Sequence, residues 1–152
     1  MFSVIGLEEN MVEKVCIENQ TYAIIIRSDY HESGIHFMTE DNYSQQMAYM
    51  QHEKGKVIDA HVHNHELRNV IQTQEVLVIR KGKLRVDFYT NDKEYFGSKN
   101  LCEGDIILLA SGGHGFEVLE EVEMLEIKQG PYLGERDKVR FQGVDSTQIR
   151  WI

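Results

Sequence analysis

The segment EVLVIRKGKLRVDFYTNDKEYFGSKNL, residues 75–101, contains three runs rich in β-branched and aromatic residues, separated by two turn-forming pairs. The pairs are Lys81-Gly82 and Asn91-Asp92, and a positive φ is cheapest for Gly and tolerable for Asn and Asp. Each pair is therefore expected to close a β-hairpin. The pattern predicts consecutive strands at 75–80, 84–90 and 94–101.

Short apolar runs closed by Gly, Asn or Asp continue on both sides of this segment, which is typical of an all-β sandwich or barrel. Because Ile106–Leu109 do not alternate with polar residues, their strand is expected to be covered on both faces and to lie in the core. The further predicted strands are 22–27, 35–37, 45–50, 57–63, 105–110, 114–119 and 123–128.

The two ends of the chain are less regular. Apolar residues at three- and four-residue spacing between positions 4 and 15 fit an amphipathic helix or a loose strand equally well. After Gly130-Pro131 the chain mixes charges with apolar residues, and we expect it to wrap the barrel or to pack on a second subunit. Because the apolar end at 149–152 would be unfavourable in water, the sequence favours a homodimer.

Composition narrows the class of protein. A chain of 152 residues is large enough for one core, and no linker or repeat divides it, so a single domain over 1–152 is predicted, with the barrel at about 45–128. The net charge of −9 would repel a phosphate backbone, so no nucleic-acid partner is expected. Without a signal peptide or a membrane-length apolar run, we expect a cytoplasmic protein with no membrane partner. Cys16 and Cys102 form no metal or disulfide motif.

Histidines alternate at His61, His63 and His65. In a strand, residues two apart point to the same face, so three imidazoles would line up. A buried imidazole without a partner is costly, whereas neutral imidazole is a good ligand for first-row transition metals. Two interpretations fit this pattern alone: a metal site, or solvated histidines at the end of a strand.

The surrounding residues resemble the first motif of the cupin superfamily, which runs G, five residues, H-x-H, a short gap, E, six residues, G. Here the matching positions are Gly55, His61, His63, Glu75 and Gly82. Eleven residues separate His63 from Glu75, where the family has three or four. An insertion in a surface loop between two strands would leave Glu75 in place.

A second group of residues resembles the second cupin motif. It begins at Gly104 and continues through Ala110, where the family has Pro, to Gly112, Gly113 and His114, with one residue fewer before the histidine. The two glycines can make the tight turn that would bring His114 onto the inner face of a barrel.

The resemblance implies a single cupin-type double-stranded β-helix, which is a jelly-roll barrel. It also implies one divalent transition metal (Mn, Fe, Co, Ni or Zn) held by His61, His63, Glu75 and His114. Three nitrogens and one oxygen would leave open positions for water or substrate on an octahedral ion. No catalytic residue is identified beyond these ligands.

Other polar residues near these motifs also have candidate roles. His65 supports the ligands, replaces Glu75, or marks the exposed end of its strand. Glu126 and Lys128 share one strand face, where they contact substrate at the mouth of the barrel or form an ordinary outer pair. Arg85 and Asp87 also share a face, and they are expected to be a solvated ion pair.

Segments 73–77, 110–116 and 126–132 resemble small bacterial cupins met among genes for surface-polysaccharide or nucleotide-sugar biosynthesis. This resemblance implies a metal-dependent protein acting on a small polar metabolite, a sugar or sugar-nucleotide derivative, by isomerisation or epimerisation. The alternatives are a cupin dioxygenase and a non-catalytic, metal-containing module that binds a small molecule. Whether the chain is an enzyme stays open at this point.

Overall fold

The structure, a computed structural model, describes residues 11–152. These residues form two compact units. The larger contains the described residues up to Tyr30 together with Thr73–Ile152, and the smaller is His31–Gln72. Strands dominate and no α-helix occurs within 11–152, which confirms the all-β class. Over the same residues no helix is long and apolar enough to cross a bilayer.

The larger unit is a six-stranded sheet, and the pairings between its six strands are antiparallel. Its strands are β1 (Val12–Ile17), β2 (Gln20–Ile26), β5 (Glu75–Tyr89), β6 (Tyr95–Cys102), β7 (Ile106–Leu109) and β8 (Gly113–Lys128). Two short 3-10 helices follow at Gly134–Arg136 and Ser146–Gln148. The sequence predicted either a helix or a loose strand at 4–15. Residues before Met11 lie outside the described part, and residues 12–15 belong to strand β1.

Strand β5 organises this sheet because it is paired along both of its edges. On one edge it pairs with β8 along its whole length. On the other edge, β7 pairs with the first residues of β5, and β6 pairs with the last. Between these two pairings, Ile79 of β5 bonds to the turn that connects β6 to β7: its backbone N–H donates to Asp105 O (3.0 Å), and its carbonyl accepts from Gly104 N–H (2.7 Å). Strand β7 also pairs with β2, so Ile107–Leu109 are buried, as predicted.

The sheet curls so that the two ends of the β5–β8 ladder approach each other. Glu75 pairs with Lys128 at one end and Phe88 pairs with His114 at the other, yet Glu75 and His114 are in contact. The concave side holds the hydrophobic core. Its members include Tyr22, Ile25, Leu77, Ile79, Leu84, Val86, Phe88, Phe96, Leu101 and Ile107.

The hairpin predicted at Lys81-Gly82 is wrong, because β5 runs through it without turning. Gly82 has the expected positive φ, +82°, but it lies where the register against β8 shifts. A Cβ at Gly82 would stand 1.9 Å from the carbonyl oxygen of Glu121. The glycine therefore permits a bulge and a close strand approach rather than a turn. Strand β8 is likewise continuous where two strands, 114–119 and 123–128, were predicted.

The hairpin at Asn91-Asp92 is confirmed. It joins β5 to β6, and the backbone N–H of Thr90 donates to the carbonyl of Glu94 at 2.9 Å. The residue with positive φ in this hairpin is Lys93, at 69°.

The C-terminal residues extend the sheet. The backbone N–H of Ser98 donates to Arg150 O (2.7 Å), and that of Ile152 donates to Ser98 O (3.3 Å), so the chain end lies along the edge of β6. The Ile152 side chain packs against the core beside Gly97. Ile152 therefore packs within its own chain, which removes part of the reason for expecting a homodimer. The homodimer stays a prediction.

Arg85 and Asp87 form a buried ion pair, so the prediction of a solvated pair is wrong. Arg85 Nε and Nη2 donate to the two carboxylate oxygens of Asp87 at 2.8 and 3.0 Å. Ser98 Oγ donates to the same carboxylate at 2.5 Å and also contacts the Tyr95 hydroxyl at 2.8 Å. Glu117 of β8 pairs with Arg85 Nη1 at 2.5 Å. Ser98 on β6 and Glu117 on β8 thus add partners that offset the lost hydration of both buried charges.

The smaller unit contains the antiparallel strands β3 (Gly34–Phe37) and β4 (Ala48–Gln51), close to two of the predicted strands. The strand predicted at 57–63 is wrong, because that segment forms no strand. All side chains at 51–72 are exposed, and Val62 is 90% exposed. An alternating pattern stabilises a strand only when one of its faces is covered, and no face is covered here.

Candidate functional site

Two of the four predicted metal ligands, Glu75 and His114, are in direct contact in the larger unit. Glu75 Oε2 and His114 Nε2 are 3.1 Å apart. Glu75 is the first residue of β5, and His114 is the second residue of β8. The curl of the β5–β8 ladder therefore joins residues from the two separate sequence motifs.

One of the two glycines before His114, Gly112, makes the tight turn that leads into β8. Gly112 has a φ of +70°, and a Cβ there would lie 2.4 Å from the carbonyl oxygen of Tyr89. The chain can then enter β8 with His114 opposite Phe88, a core residue, so the imidazole lies on the concave side. The Phe116 ring lies on the same side, with its centroid 5.2 Å from that of His114.

Lys128 links Glu75 to two further carboxylates. Its Nζ lies 3.0 Å from Glu126, 3.8 Å from Glu75 and 3.8 Å from Asp137. Asp137 is itself fixed by the hydroxyl of Thr73, which donates to it at 3.1 Å. Glu126 and Lys128 thus form an ion pair, and the Lys128 ammonium also faces the Glu75 carboxylate.

The charges of this cluster stabilise one another. The hydrogen bond donated by His114 holds the pKa of Glu75 below its usual value against partial burial, and Lys128 and Lys138 add to the effect. The hydrogen bond to Glu126 raises the pKa of Lys128. Glu75 is therefore an anion and Lys128 a cation at neutral pH.

The 3.1 Å separation of Glu75 and His114 is that of a hydrogen bond, and it is also compatible with two adjacent ligands of one ion once His114 Nε2 has lost its proton. Two ligands about 2.1 Å from one ion, at right angles to each other, have donor atoms roughly 3 Å apart. The observed separation of 3.1 Å is close to that value, and an imidazole with a carboxylate is a common donor set for Mn, Fe, Co, Ni and Zn.

The predicted ligands His61 and His63, and the neighbouring His65, belong to the smaller unit. They lie in an exposed segment without strand structure, so the argument that a strand aligns them is wrong. The rings of His61 and His63 are nevertheless close, with centroids 5.2 Å apart, and His61 Nδ1 lies 3.0 Å from the carbonyl oxygen of Asp59. Within 11–152 no group of three or more His, Cys, Asp or Glu side chains is arranged to hold a metal. The four-ligand set stays a prediction.

Sequence reasoning missed Asp137 and Thr73. Asp137 lies in the charged segment GERDK, residues 134–138, which has neither alternation nor a ligand-like spacing. Its place beside Lys128 depends on the return of the chain after β8. No local pattern in the sequence could have identified it.

Comparison of the chain with models of known protein families, with curated proteins and with solved structures gave no match.

Proposed function

We propose that the chain is a cupin-type jelly-roll protein that binds one divalent transition metal through His61, His63, Glu75 and His114. The observation that carries the proposal is the contact between Glu75 and His114, each predicted from a different cupin-like motif. The curled antiparallel sheet supports it, because a jelly roll also places such residues on the concave side of a closed sheet. For His61 and His63 the support is the sequence motif.

We further propose that the site acts on a sugar or sugar-nucleotide derivative, by isomerisation or epimerisation. A bound divalent ion would polarise a carbonyl or hydroxyl group of such a substrate. Lys128, held between Glu126 and Asp137 beside Glu75, is placed to donate a hydrogen bond to a substrate oxygen. The choice of reaction rests on the resemblance to cupins that isomerise or epimerise sugars.

Metal analysis tests the first part of the proposal. Untagged protein, loaded with Mn, Fe, Co, Ni or Zn and then desalted, should retain about one ion per chain by elemental analysis, as a single mononuclear site requires. His114→Ala, Glu75→Gln and His61→Ala should each weaken retention at least about tenfold. The matched control is His52→Ala, an exposed histidine outside both motifs. Wild-type protein that retains no ion under any loading condition would contradict the proposal.

Proton exchange tests the second part. Isomerisation and epimerisation both remove a proton from a carbon next to a carbonyl, so incubation with nucleotide-linked keto sugars in D2O should introduce deuterium at that carbon, visible by NMR. Saturable binding with neither exchange nor product, across all the metals, would assign the chain to the non-catalytic binding modules instead.

The proposal places the protein in the cytoplasm as a homodimer. Sedimentation equilibrium at micromolar concentration should give twice the mass of the chain, and a monomer under those conditions would contradict the dimer.

A further inference from the structure

A cavity lies in the larger unit, between the β5–β6 hairpin and the C-terminal segment. Its volume is about 430 Å3, within the range of roughly 300–1,000 Å3 typical of small-molecule sites. The polar side chains that line it are Tyr89, Lys93, Tyr95, Gln142, Gln148 and Arg150.

The walls of this cavity are held together by hydrogen bonds. The backbone N–H of Val144 donates to the Tyr89 hydroxyl at 2.9 Å, and that of Arg150 donates to the Tyr95 hydroxyl at 2.8 Å. The pairing of Arg150 and Ile152 with Ser98 fixes the same segment along β6. The C-terminal segment is thus tied to the hairpin at several points, and the cavity is a built feature of the fold.

The charge of the cavity is opposite to that of the chain. The sequence has 25 acidic against 16 basic residues, but the lining contains two cations, Lys93 and Arg150, and no carboxylate. The Lys93 ammonium lies 5.9 Å from the centroid of the Phe141 ring. Within the described part of the chain no carboxylate pairs with the Arg150 guanidinium or the Lys93 ammonium. Two unneutralised cations beside hydroxyl and amide groups form an environment suited to an anion.

We propose that this cavity binds a small phosphate-bearing metabolite. Arg150 and Lys93 hold the phosphate, because a guanidinium donates two parallel hydrogen bonds to phosphate oxygens and an ammonium adds a point charge. Tyr89, Gln142 and Gln148 supply hydrogen bonds to hydroxyl groups on the organic part. The site is separate from the proposed metal ligands, so it does not depend on metal binding.

The experiment is a titration of uniformly 15N-labelled protein, followed by amide NMR, with three probes: glucose 1-phosphate, inorganic phosphate and glucose. Glucose 1-phosphate should shift the amide signals of Val144 and Arg150 saturably. Its affinity should exceed that of inorganic phosphate, and glucose should cause no saturable shift. Arg150→Gln and Lys93→Gln should each weaken binding about tenfold, the loss expected for a charge-assisted hydrogen bond. Both variants keep the backbone contacts that build the cavity.

Arg80→Gln is the matched control, since it removes one exposed positive charge outside the cavity and should leave the affinity unchanged. The site is refuted if neither phosphate probe shifts these signals at millimolar concentration, or if Arg80→Gln weakens binding as much as Arg150→Gln. Equal affinities for inorganic phosphate and glucose 1-phosphate would overturn the roles given to the tyrosine and the glutamines. The metal analysis above is a separate measurement, so either proposal can fail alone.

Discussion

Replacing Asp87 by alanine should destabilise the protein strongly, because its carboxylate lies at the centre of a buried polar network. The carboxylate accepts two hydrogen bonds from Arg85 and one from Ser98, and Asp87 is only 5% exposed. Without it, the buried Arg85 guanidinium would keep one carboxylate partner, Glu117, whose side chain is 47% exposed.

The magnitude follows from the cost of an unpaired buried charge. Removing one partner of a buried ion pair typically costs about 3–5 kcal/mol. Glu117 can still neutralise part of the Arg85 charge, so we expect the lower end, about 3 kcal/mol. For a chain of this size that loss lowers Tm by about 6–12 °C.

Urea denaturation followed by circular dichroism measures this loss. The midpoint of the Asp87→Ala variant should fall with an unchanged slope. Replacing the partner as well, with Arg85→Leu, should restore part of the stability, since no buried charge then lacks a partner. Arg80→Gln, at an exposed position of the same strand, should change stability by less than about 0.5 kcal/mol. A loss for Asp87→Ala no larger than that of the control would refute the reasoning, because it would mean that water screens the pair.

Three further results are expected. In urea titrations, Gly82→Ala should lower the free energy of unfolding by about 2 kcal/mol or more, and Gly55→Ala should lower it by only about 1 kcal/mol. Both glycines have positive φ, but of the two only Gly82 faces a backbone atom, so equal losses would contradict this reasoning. Burial is the largest single influence on the pKa of Glu13 and would raise it, but the hydrogen bonds and charges of Arg27 and Lys99 together outweigh burial and lower the pKa. Glu13 therefore stabilises the fold above its unfolded-state pKa and loses that effect as the pH falls through its folded-state pKa, so Glu13→Gln should flatten the acid limb of stability against pH; an unchanged limb would contradict this. Metal at a hundred times the wild-type Kd should stabilise the wild-type protein by about 2.7 kcal/mol and so raise its Tm. A tenfold loss of affinity in His114→Ala should reduce that gain to about 1.4 kcal/mol, and equal Tm shifts for the two proteins would exclude His114 as a ligand.

The sequence predicts the all-β class correctly because runs of β-branched residues and turn-forming pairs are local features. Because these features are local, the sequence does not show that Gly82 permits a bulge whereas Asn91-Asp92 closes a hairpin. A residue with positive φ serves a turn or a bulge equally well. Only the opposing strand decides between them, and at Gly82 that strand is the one containing Glu121.

For the candidate site too, the sequence predicts the residues that belong to local motifs and misses the contacts made by distant segments. Glu75 and His114 could be found from motif spacing, and the curl of the sheet brings them into contact. The burial of Arg85 and the contact of Asp137 with Lys128 depend on strands and segments distant in sequence, so no local pattern reports them. Alternation at His61 and His63 predicts a strand, but a strand also needs a covered face, and the sequence around them does not report that this segment is exposed.

The irregular register of β5 around Gly82 divides that strand into two regular halves. The half beginning at Glu75 orients the carboxylate beside His114, and the half ending at Tyr89 orients the aromatic core. An insertion of one codon within either half would reverse the facing of every side chain between it and the bulge. Next to the bulge, where pairing with β8 already slips, an extra residue can be absorbed without reversing either half. Gene variants that differ in length within β5 should therefore have their insertions and deletions concentrated at this point.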